Sequence, residues 1–391
     1  MHPLNKCLHI LVIAPQPFYE DRGTPIVIFE ELKILSQLGF RVDVATFPIG
    51  ADVNIPGVKL VRSKNMFRFK SVAVGLSLRK VLLDLFLSLT IFQLMRRKHY
   101  DCIHAIEEGS LIAFVCKYFF KIPVIYDMHS SLPEQLRKVR FFRKGLGRKA
   151  AIHFEKILVK NADAVLTSAG LGKHVLSIDM NKPIWECYFS GVCSERRNED
   201  LSRKLKIFGR PTVVYSGTFS DYQGLDLLLE AAAILRKKKA GVLFVLVGGT
   251  EFEITKLATF VEKRKLNKTV QLHARVSRFE IADYLSIANV LVLPRREGMN
   301  APLKLFEYMN SKKPIVATDI PAHTALLNNK SAILVNPESE ALAEGLLRVI
   351  EDKELSCTLA SEACRAVQSL EEKSLLNTLS DSYRFITIKF K

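Results

Sequence analysis

Several things are scarce in this chain. None of its seven cysteines stands in a C-x-x-C pair, so no zinc ribbon or dithiol redox motif is expected. Their odd number and mostly apolar neighbours predict small core residues in a reducing compartment. Long uncharged runs are missing: the best candidate, Leu85 to Met95, has 11 residues, against the roughly 18 needed to span a bilayer. The apolar run Leu8 to Ala14 is short and meets Pro15 and Pro17 at once, so no secretory signal is expected. Acidic residues are outnumbered, 40 Asp and Glu against 57 Lys and Arg, for a net charge of +17. Such a balance favours polyanionic partners. The absence of a recognition-helix, RNP-type or zinc-finger motif sets nucleic acid aside and leaves anionic lipid or phosphorylated substrates.

What is present is ordinary globular material. The 391 residues are 48% hydrophobic and 25% charged, enough for two or three domains with cores of normal size. Leu8–Ala14 reads as a buried parallel strand, followed by a Pro/Gly loop, a helix ending at Gly39, and a strand at Arg41–Phe47. Further strands are predicted at Cys102–Ala105, Val124–Tyr126 and Ala164–Thr167. From Glu186 to Arg210 the chain turns polar, which reads as a linker. The rhythm then restarts, with strands at Thr212–Tyr215, Val242–Val247, Val270–Leu272, Val290–Leu293, Pro314–Ala317 and Ala332–Val335, and a helix at Leu225–Lys239. This is an α/β pattern of two tandem Rossmann-like domains, 1–190 and 205–369, with a ligand expected in the cleft between them.

The densest chemistry lies in Pro294–Leu327. A strand end runs through a Gly-bearing loop into a helix holding Glu307. A helix N-terminus suits a phosphate; a carboxylate one turn further in can accept from a ribose diol, and Lys304 adds a point charge. The pieces PR-x-x-G, PLKLFEYM, KPIVATDIP and AHTALL, together with RGTPI at Arg22–Ile26, HAIEEGS at His104–Ser110, YDMHSSLPEQL at Tyr126–Leu136 and YSGTFSDYQGLDLLLEA at Tyr215–Ala231, occur in order along nearly the whole chain. In them the sequence closely resembles the retaining glycosyltransferases of family 4, whose GT-B fold sets two Rossmann-like domains face to face across a cleft.

The resemblance implies transfer of a sugar from a nucleotide sugar with retention at the anomeric carbon. The second domain would hold the donor and the first the acceptor, with a C-terminal helix, about 370–391, packing back on the first. It assigns Glu307 to the ribose hydroxyls and His129 to the donor sugar and diphosphate, where an imidazole can stabilise developing charge. Gly217-Thr218 resembles the turn that cradles the diphosphate, and Gly248 borders the nucleotide. Arg22 and Gly23, in the first strand-to-helix loop, could approach a phosphate. Arg295 and Gly298 complete the donor set, and Glu107 and Glu108 are candidates to contact acceptor hydroxyls or to act as a base. Two departures stand out. Met299 occupies the position eight before Glu307 where many members have a second glutamate, and Glu297 is off register. Thr218 and Gln223 stand where many members have Arg and Lys, which leaves Arg295, Lys304 and Arg22 to meet the diphosphate. No Asp-X-Asp pair is present, so no obligatory metal or cofactor is expected.

Seven basic residues and no acid fall between Gln135 and Phe154, among them Arg137, Lys138, Arg140, Arg143 and Lys144, with Phe141 and Phe142 between. A second basic stretch, Val61 to Lys98, carries Met66, Phe67 and Phe69. Basic residues interleaved with aromatics suit an anionic membrane surface. The expectation is therefore a cytoplasmic hexosyltransferase, peripheral on the inner face of the cell membrane, using a UDP- or GDP-sugar and a glycan or lipid-linked acceptor. A sugar-nucleotide epimerase of the same fold, or a non-catalytic nucleotide-binding subunit, are the competing readings.

Overall fold

The structure is a computed structural model that describes residues 7–20, 23–69, 72, 77–189, 197–207, 209–238, 241–370 and 375–390. The chain divides into two units, Met1–Tyr188 with Lys373–Lys391, and Phe189–Glu372.

In the first unit, seven parallel strands stand in the order β3-β2-β1-β4-β5-β6-β7. They are β1 (His9–Ala14), β2 (Arg41–Thr46), β3 (Val58–Arg62), β4 (Cys102–Ile106), β5 (Val124–Met128), β6 (Ala164–Ser168) and β7 (Ile184–Cys187). The central strands are apolar on both faces because helices cover both sides; β4 and β5 are buried at every residue. Between them run α1 (Gly23–Gln37), α2 (Leu78–Arg97), α3 (Gly109–Phe120), the single turns α4 (Leu132–Gln135) and α5 (Arg140–Arg143), α6 (Gly145–Asn161) and α7 (Gly172–Ile178). Ser77 caps α2 by accepting from the Lys80 amide. The helix then buries Leu83, Leu87, Ile91 and Met95, spaced by four, against Leu11, Phe47 and Ile103. Each contributes about 1.5–3 kcal/mol by burial, and Leu87→Ala would cost about 2–5 kcal/mol.

The second unit opens with α8 (Glu199–Lys204) and holds six parallel strands in the order β10-β9-β8-β11-β12-β13. These are β8 (Thr212–Ser216), β9 (Leu243–Gly249), β10 (Val270–Ala274), β11 (Val290–Leu293), β12 (Ile315–Thr318) and β13 (Ile333–Val335). Its helices are α9 (Leu225–Lys237), α10 (Glu251–Lys263), α11 (Arg278–Ser286), α12 (Leu303–Asn310), the turn α13 (Pro321–Thr324), α14 (Ser339–Glu351) and α15 (Lys353–Gln368). Capping boxes, Thr250 with Glu253 and Ser277 with Glu280, fix the starts of α10 and α11. The last helix, α16 (Leu375–Lys389), packs on α1, β6 and β7 of the first unit and buries Tyr383 completely.

Strand order reverses between β1 and β4 and between β8 and β11. At such points the loops beyond the strand ends open a ligand crevice. The sequence did not mark β3 and β7. Both are outermost strands with half-exposed residues, so neither carries the continuous apolar run that betrays a central strand. Likewise α8 lies within the polar stretch read as linker and belongs to the second unit, which begins before residue 205. Among the described residues no helix is long and apolar enough to cross a membrane.

Candidate functional site

In the second unit the predicted donor residues converge at the ends of β8, β9 and β11. Gly217 follows β8 with φ +132°, and a Cβ there would strike the Lys304 ammonium. Glycine lets the cation lie against the backbone. Gly248, at φ +121°, closes the other side, where a Cβ would strike the Gly217 carbonyl. Lys304, in the first turn of α12, donates to Tyr215 Oη at 2.9 Å and to Gln223 Oε1 at 3.2 Å, and sits 4.1 Å from the centroid of the Tyr215 ring. Burial, then the neighbouring Arg295 charge, push this ammonium down to about 7, with Glu307 opposing. The lysine is a cation only partly compensated by its surroundings.

Arg295 lies over the Tyr222 ring at 5.4 Å and donates to the Asn300 carbonyl at 3.4 Å. Gly298, at φ +145°, leaves room for its guanidinium. Glu307 follows Lys304 by one turn, with its side chain 14% exposed and Oε1 3.6 Å from Arg278 Nε. Burial raises its carboxyl, and Arg278 and then Lys304 oppose the rise. The Tyr215 hydroxyl donates to the Thr218 carbonyl at 2.8 Å, and the Ser216 amide donates to Tyr308 Oη at 2.8 Å, which ties the end of β8 to α12. His323 is fully buried and donates from Nδ1 to the Thr318 carbonyl at 2.9 Å. Burial pushes it down to about 4. Neutral, it keeps an acceptor lone pair on Nε2, which has no partner among the described residues.

The first unit carries a different cluster. Asp127 at the end of β5 is buried, and its Oδ2 lies 2.9 Å from His129 Nε2 and 3.2 Å from His104 Nε2. Burial alone would raise Asp127, yet the His129 charge and the contacts from both rings hold it well below the usual carboxylate range. A carboxylate only accepts, so His104 presents Nε2–H to it, and Nδ1 pairs with the Tyr383 hydroxyl at 2.7 Å. Burial disfavours the His129 imidazolium, but Asp127, Glu31 and Glu107 outweigh it and push the ring up to about 10. Glu31, buried on α1, goes the other way: desolvation and the Asp127 charge raise it well above normal. Among the described residues Glu31 Oε1 and Asp127 Oδ1 are both buried acceptors without a donor, and a proton on Glu31 shared with Asp127 satisfies both. One ligand atom each of Glu31, His104 and Asp127 lies within 4.8 Å of the others, a set that could hold a cation. Here these atoms already serve one another and Tyr383.

Glu107 has φ +50°, a strained backbone for a non-glycine residue. It accepts from Gln135 Nε2 at 2.6 Å and Ser130 Oγ at 3.2 Å, and burial pushes its carboxyl up to about 7. Glu108 turns elsewhere and pairs with Lys80 of α2. The structure thus separates two adjacent acids that the sequence paired for one acceptor role. Gly23 begins α1 with open space where a Cβ would stand; Arg22 lies outside the described residues. In the basic stretch Arg137, Phe141, Arg143 and Lys144 are exposed while Phe142 is half-buried. The side chains of Lys138 and Arg140 lie outside the description. Sequence reasoning missed Asp127, Glu31, Arg278 and His323. The first sits two residues before His129 in the quoted YDMHSS motif, a usable signal; Glu31 and Arg278 come from distant helices.

Comparison with known proteins agrees. A family model described as glycosyl transferases group 1 matches residues 197–365, and one described as glycosyltransferase family 4 matches residues 22–170. An alpha-D-kanosaminyltransferase from Streptomyces kanamyceticus is 23% identical over 284 residues, covering 69% of this chain and 73% of the relative. Among solved structures, a sucrose-phosphate synthase from Thermosynechococcus elongatus aligns at TM-score 0.81 and 18% identity, over 98% of this chain and 100% of that one. HepE from Anabaena, solved in complex with UDP and glucose, aligns at 0.73 and 17%, over 98% and 100%. At such identities the structural likeness is one of fold, and the family models carry the kinship. The chain belongs to the group 1, family 4 glycosyltransferases, enzymes of the GT-B fold.

Proposed function

We propose that this enzyme is a retaining hexosyltransferase that takes a UDP- or GDP-sugar and glycosylates a glycan or lipid-linked acceptor at the cytoplasmic membrane face, with no obligatory metal. The observation that carries the reading is the pairing of Glu307 with Lys304 one helical turn apart, beside Gly217. A carboxylate at that place accepts both hydroxyls of a ribose. The ammonium, held among the described residues by neutral Tyr215 and Gln223 oxygens, exchanges them for diphosphate oxygens and takes up a proton as it does so. Arg295 supplies the second cation, in place of the basic residues missing at Thr218 and Gln223. Kinship with a kanosaminyltransferase and the UDP complex of HepE support a nucleotide-sugar donor.

In the transfer, the bond from the anomeric carbon to the diphosphate oxygen breaks, and the departing nucleotide gains negative charge. The His129 imidazolium, kept charged by Asp127, stabilises that charge. The acceptor hydroxyl attacks from the same face and yields its proton to the departing phosphate oxygen, so the configuration is retained and a nucleoside diphosphate leaves. The exposed basic residues Arg137, Arg143 and Lys144 with Phe141 support a membrane location. Titration of the metal-free protein with UDP and GDP tests the donor site. One nucleotide is expected to bind at micromolar concentration, and Glu307→Ala to weaken it at least about tenfold by loss of charged hydrogen bonds. Binding of neither nucleotide would count against the reading. NMR of the product's anomeric proton tests retention.

A further inference from the structure

The outer faces of three neighbouring helices in the first unit are apolar, and the described residues leave them exposed. On α2, opposite the buried stripe at Leu83, Leu87 and Ile91, a second stripe of Leu78, Val81, Leu85 and Leu89 faces solvent, with Leu78 86% exposed and Leu85 56%. On α3, Ala113 and Cys116 enter the core shared with α2, while Val115, Tyr118 and Phe119 stand outside, Tyr118 71% exposed. The two helices touch, and Phe92 meets Phe119 at 6.0 Å between ring centroids. α6 packs beside α3 and exposes Leu146, Phe154 and Ile157. Residues three, four, seven and eleven apart lie on one side of a helix. With the cores of α2 and α3 turned toward the sheet, these side chains form one outward surface, larger than scattered exposed leucines.

The charge around this surface is predominantly positive, although Lys80 and Lys117 are paired with Glu108 and Asp163 of the flanking loops. The three helices carry nine Lys and Arg and only two acids, Asp84 and Glu155. Asp84 is half-buried, and Glu155 is spent inside on the Leu132 amide and His174. Two copies brought together through this face would oppose like charges. A bilayer bearing anionic headgroups answers both features: the apolar side chains enter the acyl boundary and the basic side chains reach the phosphates. We propose that the outer face of α2, α3 and α6 is the surface by which this enzyme docks on an anionic membrane. The short basic stretch before α6 then forms the margin of the site rather than its centre. The proposal builds on the membrane-face reading above but is independent of donor chemistry.

The test is cosedimentation of the full-length protein with phosphatidylcholine vesicles, with and without phosphatidylglycerol, comparing wild type with Leu85→Glu/Tyr118→Glu. Both substituted side chains are exposed, and UDP or GDP affinity serves as the check that the variant is folded. The expected result is binding to phosphatidylglycerol vesicles that weakens with salt and falls about tenfold or more in the double variant. Wild type left in the supernatant, equal binding to neutral vesicles, or a variant that binds like wild type would each overturn the proposal. So would a variant that turns a wild-type dimer into a monomer, since the face would then belong to a second copy.

Discussion

Both units place a cation beyond the ends of buried parallel strands, and they treat it in opposite ways. In the first, the His129 ring is held at 2.9 Å by the Asp127 carboxylate and kept charged well above neutral pH. Its charge is neutralised in place, and the protonated Glu31 prevents the acids from over-compensating. In the second, the Lys304 ammonium has hydroxyl and amide partners, with Arg295 repelling it and burial drawing its proton away. One cation is finished by the protein; the other, in the function proposed above, is finished by an anionic ligand. The contrast teaches that a buried charge kept permanently needs a counter-charge in place, whereas one left short of a counter-charge suits the ligand-binding role proposed for Lys304.

Breaking the first arrangement gives the largest expected effect. Asp127→Asn removes the counter-charge while preserving shape, so His129 loses its proton and kcat at pH 8 falls about 100-fold or more. Nucleotide affinity, which the proposed reading rests mainly on Lys304 and Glu307, falls much less than kcat. A loss of affinity as large as the loss of kcat would deny that the two cations work separately. Breaking the second arrangement by Lys304→Met weakens UDP or GDP binding about 10- to 100-fold, measured by calorimetry. The same substitution raises the melting temperature of the ligand-free protein, because it removes a buried, poorly compensated charge.

Stability sharpens the contrast further. His129 has a folded pKa raised from 6.5 to about 10, so its contribution is full below pH 6.5 and is lost as the pH rises through 10. Lys304 has one lowered from 10.5 to about 7, so its penalty is relieved as the pH rises from 7 towards 10.5. Urea denaturation between pH 7 and 10 is therefore expected to give opposite changes in pH slope for Asp127→Asn and Lys304→Met relative to wild type. The smallest effect is expected of Tyr383→Phe. It strips His104 of its partner at the docked C-terminal helix and costs about 1–2 kcal/mol of stability. The His129–Asp127 pair survives, so kcat changes little.

The sequence made the second site far more readable than the first. Lys304 and Glu307 lie three apart on one helix, and Arg295 and Gly298 stand in the loop that leads into it, so all four fall within one short stretch of sequence. Its central strands were equally plain, as runs such as Leu243–Gly249 are buried at every residue. The first site is assembled from afar. Tyr383 reaches His104 across 279 positions, and Glu31 on α1 meets Asp127 on β5, and no local pattern announces such pairs. Arg278 was hidden for the same reason, since it lies on α11 and is joined to Glu307 only by the fold. On α2 the sequence showed apolar residues but not that two stripes point in opposite directions, one inward and one out.

The account rests most directly on the lysine that waits for an anion, and proton-linked binding tests it. UDP and GDP affinities would be measured from pH 7 to 9, where the terminal phosphate is already ionised, for wild type and Lys304→Met. Wild-type affinity is predicted to weaken with rising pH, approaching about tenfold per unit as the free lysine loses its proton, while the variant stays flat. A wild-type affinity that does not change across this range would contradict the central claim.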